Sequence, residues 1–66
     1  MEKVKVSYQD LNGNLLFNEK RMYIDLPKLA HEIIWHYCHW KVFKIIENWD
    51  KKEITIYFEF VKKVDV

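Results

Sequence analysis

The apolar residues change period between Trp40 and Lys41, and that change limits what the chain can fold into. At about 100° per residue, Leu29, Ala30, Ile33, Ile34, Tyr37 and Trp40 gather in an arc of roughly 140°. Lys28, His31, Glu32, His36 and His39 lie opposite them. Continued in the same helix, Val42, Ile45, Ile46 and Trp49 would fall on the polar side, a phase jump of about 150°. One straight helix cannot bury both sets. The spacing therefore predicts a helix that starts at Pro27, whose fixed φ suits a first turn, and stops near His39. A strand is expected from Lys41.

Two hairpins are expected around that helix. Ile54, Ile56, Phe58 and Phe60 alternate with Thr55, Tyr57 and Glu59, the pattern of a strand with one buried face. With Trp49 to Lys52 as the turn and Asp50-Lys51 as its loop, Phe43 faces Phe58 and Ile45 faces Ile56. Near the N-terminus, Lys3 to Tyr8 alternates in the same way, and Asn12-Gly13 predicts a type I′ turn into a strand from Leu15 to about Asp25. That loop sets Tyr8 opposite Phe17 but leaves Val4 and Val6 opposite Arg21 and Glu19. A bulge between Asn18 and Lys20 would bring Met22 and Ile24 to the Val4 and Val6 face instead. The expected fold is α+β, ββαββ: a four-stranded antiparallel sheet with one amphipathic helix packed on one face, in a single small domain over residues 1–66. Lys62 to Val66 is expected to fray.

Composition narrows the function classes. One cysteine, Cys38, cannot form an intrachain disulfide, so a reducing compartment is expected. No apolar run reaches the ~18 residues of a membrane span, and Met1-Glu2-Lys3-Val4 lacks a signal-peptide core; the expectation is a soluble, cytoplasmic protein. Lys and Arg (11) nearly cancel Asp and Glu (10), and the signs are interspersed, which disfavours nucleic acid and anionic lipid as partners. Lys3, Lys5, Lys20, Arg21, Lys44 and Lys62-Lys63 could serve a nucleic acid only by converging on one face, against Glu2, Glu19, Glu47 and Glu59. Plentiful Lys, Ile, Asn, Phe and Tyr point to AT-rich coding, as in a low-GC bacterium or its phages.

Few residues suggest chemistry. Glu32, His36 and His39 would share one helix face and could hold a divalent ion, with His31 and Cys38 nearby, but the set coincides with the solvated face and a Glu–His pair on a wet helix is the favoured explanation of the spacing. Cys38 and His39 are adjacent and diverge on a helix, so no nucleophile–base pair forms. A single glycine excludes a glycine-rich phosphate loop, and no general acid and base pair emerges. Neither cofactor, metal nor enzymatic activity is expected. Trp35 falls on the polar helix face, flanked by His31, His39 and Lys28, as an aromatic anchor for a protein partner would. On the outer sheet face, Val42, Ile46, Tyr57 and Val61 align beside Lys44 and Thr55, an apolar surface that a homodimer could bury. The expected function is a non-enzymatic interaction module, a small phage or mobile-element accessory that binds and modulates or inhibits another protein, or a homodimer. A small nucleic-acid-binding domain and a helix-borne metal site are the alternatives.

Overall fold

A computed structural model describes residues 3–64. The helix expected from Pro27 to His39 is absent, and the fold is strand almost throughout: β1 Lys3–Asp10, β2 Leu15–Met22, β3 Glu32–Trp35, β4 Cys38–Asn48 and β5 Glu53–Lys63. A single 3-10 turn, Tyr23–Asp25, follows β2. The expected four-stranded antiparallel sheet is a five-stranded mixed one of order β2-β1-β5-β4-β3. β1 and β5 run parallel at its centre and every other pair is antiparallel. The α+β assignment is thereby corrected to a nearly all-β one.

The misplaced helix has a physical reason. Ile33, Ile34, Trp35, Tyr37, Trp40 and Val42 are β-branched or aromatic, types that lose side-chain freedom in a helix and pack well on a pleated surface. His36 and Tyr37 adopt φ of 50° and 60°, and positive φ at both central residues makes a two-residue type I′ connection. That turn pairs Ile33 with Trp40 and Trp35 with Cys38. Ile33 and Trp40 therefore meet across a hairpin rather than two turns along a helix. Leu26 has φ −76° and ψ 147°, the extended conformation imposed by the Pro27 ring, so Pro27 stands in a crossover and not in a first helical turn.

The first hairpin keeps its expected register through two irregularities that cancel. Asp10 N donates to Asn14 O at 3.0 Å, which leaves three loop residues rather than two, with Gly13 at φ 85°. The turn is therefore not type I′. Asp10 holds it, its carboxylate accepting from Asn12 N, Asn14 N and Asn14 Nδ2. Those donors, Asn14 first, lower the Asp10 pKa. The ladder then shifts between Tyr8 and Gln9, where Leu16 is extra, and this restores Tyr8 opposite Phe17. No bulge occurs at Asn18 to Lys20, and Val4 and Val6 do face Arg21 and Glu19. Tyr8 makes this arrangement tolerable, because its hydroxyl donates to Glu19 Oε2 at 2.7 Å while Arg21 Nε lies 3.7 Å from the same oxygen.

In the second hairpin Ile45 faces Ile56 as expected, but Phe58 faces Val42 and not Phe43. Phe43 is the extra residue of a bulge. Val42 is consequently 2% exposed and Phe43 55%. β5 runs on through Lys63, and Val64 N donates to Tyr37 O, so Lys62 to Val64 are paired rather than frayed. Asp65 and Val66 lie outside the described residues.

The core lies on one side of the sheet, where Val4, Val6 and Tyr8 of β1 meet Ile54, Ile56 and Phe58 of β5 and Val42 of β4. Five flat strands at the usual spacing would hold β2 and β3 about 19 Å apart. The Phe17 ring on β2 nevertheless lies 5.1 Å from the Trp35 ring on β3. The sheet therefore curls into a half-barrel closed by that aromatic pair. The chain between β2 and β3 crosses the same concave side, where Leu26 packs against the core. Phe17→Ala and Trp35→Ala should each loosen the curl, and a double-mutant cycle by urea unfolding should give a coupling of about 0.5–1.5 kcal/mol. Additive losses would mean that the two rings do not hold the edges together.

Candidate docking groove

The residues expected to bind a partner are dispersed. Trp35 faces the concave side, tilted against Phe17, with His36 stacked on it at 3.8 Å and its carbonyl accepting from Trp40 Nε1 at 3.3 Å. It is half-buried and engaged within the fold. His39 belongs to the neighbouring ladder pair, opposite Ile34, and therefore points to the other face. His31 and Lys28 share a turn in which His31 N donates to Lys28 O and His31 Nδ1 accepts from Lys28 N at 3.4 Å. Val42 is in the core. Ile46 and Tyr57 do reach the outer face, where Lys44 Nζ lies 5.7 Å from the Tyr57 ring centre.

The Glu32, His36 and His39 set also separates. Glu32 Oε1 meets His39 Nε2 at 2.8 Å, whereas His36 is taken into the turn. Among the described residues no group of three or more His, Cys, Asp or Glu is arranged to hold a metal ion. No helix among them is long and apolar enough to cross a membrane.

What the fold does assemble is a groove of about 680 Å³ between the crossover and the ends of β4 and β5. Ile24, Leu26, Pro27 and Leu29 line it from the crossover, and Ile45 and Ile54 from the sheet. Pro27 and the preceding 3-10 turn explain why this stretch stands apart: it can join neither a ladder nor a helix, so Leu26 reaches the core while Ile24 and Leu29 stay outside it. Ile24 is 71% exposed and Leu29 62%.

Glu47 is the acidic group in this lining and Lys28, exposed on the crossover, the basic one. Glu47 pairs across the ladder with Ile54, which turns its side chain to the concave side at the open end of the half-barrel. Tyr23 Oη donates to both carboxylate oxygens, at 3.0 and 3.1 Å, and Trp49 Nε1 donates to Oε1 at 3.1 Å. The two rings stand 5.3 Å apart, tilted by 57°. The hydrogen bond to Glu47 raises the Tyr23 pKa, with burial and the carboxylate's charge acting in the same sense. Glu47 and Trp49 are two residues apart, but nothing local in the sequence joins Tyr23 to them, 24 residues before Glu47. The legible signal was the aperiodic apolar run Tyr23-Ile24-Asp25-Leu26-Pro27-Lys28-Leu29, which matches neither a buried strand nor a helix face.

Compared with protein families, curated proteins and solved structures, the chain shows no match.

Proposed function

We propose that the protein is a binding module whose groove receives an apolar segment of a protein partner, with positive rather than negative charge set opposite Glu47. The supporting observation is the exposure of Ile24 and Leu29 on the groove's flank. A small molecule within the groove would be expected to have most of its own surface enclosed. Here it would leave both flanking side chains in water. A partner larger than the groove covers them, and burial of apolar surface at about 25 cal/mol per Å² then favours association. The outer sheet face competes less well, because Tyr57 is half-buried there beside Lys44 and Thr55 lies opposite Ile46.

Selection from a random peptide library against the immobilised protein tests this. The enriched sequences should be apolar with a basic residue, should shift amide resonances of residues 23–29 and 45–49, and should bind Leu29→Asp at least about tenfold more weakly. Leu29 is exposed, so this variant folds. Peptides that bind Leu29→Asp equally well, that map to Ile46 and Tyr57, or that are not enriched at all would overturn the proposal.

A further inference from the structure

We propose that Tyr23, Glu47 and Trp49 form a recognition site for an organic cation, the ammonium or guanidinium group of a basic side chain on the docked segment. Its assignment to a partner rests on the docking function proposed above, and the two can fail separately. Among the described residues Glu47 is held in place by neutral donors alone, Tyr23 and Trp49. Among the described residues the ion pairs are Arg21 with Glu19 and His39 with Glu32, and neither neutralises Glu47. A carboxylate offers about four acceptor sites, and among the described residues Oε2 accepts only from Tyr23 Oη, so it can still receive a charged N–H donor.

The aromatic neighbours favour the same class of ligand. Tyr23 and Trp49 are both well exposed and present splayed rings beside the negative charge. The negative face of an aromatic ring attracts a cation lying within about 6 Å of its centre, and Trp and Tyr are the strongest such partners. The apolar groove begins beside this cluster, since Tyr23 and Glu47 line it together with Ile45 and Ile54. A lysine or arginine could lay its methylene stem against those apolar walls and bring its charged end to Glu47. Fixed donors orient the carboxylate in advance, so less freedom is lost when the cation arrives.

The test titrates isotopically labelled full-length protein with n-butylguanidinium, n-butylammonium, tetramethylammonium and neutral n-butanol, followed by nuclear magnetic resonance. The charged probes should move the Trp49 indole N–H resonance at about millimolar concentration, and n-butanol should not. Tetramethylammonium has no N–H, so its binding would assign recognition to charge and ring faces. Binding by the N–H donors alone would assign it to Glu47 oxygens. Glu47→Gln should weaken the charged probes about tenfold while keeping the dispersed spectrum of the folded chain. Trp49→Phe, which retains a ring and loses the indole donor, is the second variant; followed through the backbone amide resonances of Tyr23 and Glu47, it should weaken the charged probes by a smaller factor. Equal responses to n-butylammonium and n-butanol, or unchanged affinity in Glu47→Gln, would overturn the cation site. If selected peptides dock in the groove but replacing their basic residue by methionine changes nothing, docking stands and the cation site falls. If the cations bind at Trp49 while no peptide maps to the groove, the cation site stands and docking falls.

Discussion

Val42→Asp should leave the chain unfolded, whereas Phe43→Asp should fold with a urea midpoint close to that of the parent. The two residues are adjacent, and the unbroken alternation expected from sequence puts Phe43, not Val42, inside. The bulge reverses that assignment: Val42 pairs with Phe58 and is buried, while Phe43 is left half in water. A carboxylate at Val42 would enter an apolar core in which the Tyr8 hydroxyl is already committed to Glu19 and the described residues include no buried polar or charged side chain to meet it. That burial costs several kcal/mol or forces protonation. A domain of this length commands only about 3–10 kcal/mol of total stability at the usual per-residue value. At Phe43 the same change removes an exposed ring and costs about 0.5 kcal/mol or less. Circular dichroism with urea unfolding of the two variants measures the difference. The reverse outcome would show that β4 runs without a bulge and that Phe43 packs on Phe58.

This pair marks where the sequence stops being legible. Ile54, Ile56 and Phe58 could be placed in the core because each is flanked by polar or half-polar residues, so alternation has one reading. Phe60 belongs to the same series yet is half-exposed, edge-on to Trp40 at 5.5 Å. Val42 and Phe43 are apolar neighbours, and period alone cannot say which one faces inward. Ile33 and Trp40 pose a related ambiguity, because seven residues separate neighbours on a helix face and also a cross-strand pair around a two-residue turn. The residue types favour strands while the period fits a helix, and here the residue types prevail. Positive φ left a signal at Gly13 but none at His36 and Tyr37, which are not residues that normally announce a type I′ turn. The groove is hidden for another reason: Glu47 and Trp49 stand two residues apart, but Tyr23 lies 24 residues before Glu47, just past the end of a strand, and only the tertiary fold brings it to them.

Alkaline pH should unfold the protein through Tyr8. Its ring is 2% exposed, stacked on Phe17 at 4.2 Å and beside Phe58 at 5.5 Å, with its hydroxyl committed to Glu19. Burial, followed by the hydrogen bond and negative charge of Glu19, pushes the Tyr8 pKa up to about 12, with Arg21 opposing in part. The folded state therefore holds the phenolic proton more tightly than the unfolded chain, whose tyrosine titrates near pH 10. The stabilisation is fully present below pH 10 and is lost as pH rises from about 10 towards 12. Two pH units correspond to a loss of about 2–3 kcal/mol, a large share of the stability of so short a chain. Tyr23 shifts in the same direction, so the comparison is made in a Tyr23→Phe background. There, urea midpoints should fall steeply between pH 10 and 12. Tyr8→Phe should start about 1 kcal/mol less stable at pH 8, with Glu19 left to Arg21, and should show a much shallower alkaline decline. An equally steep decline in Tyr8→Phe would mean that Tyr8 already reaches water and that the aromatic stack does not seal this part of the half-barrel.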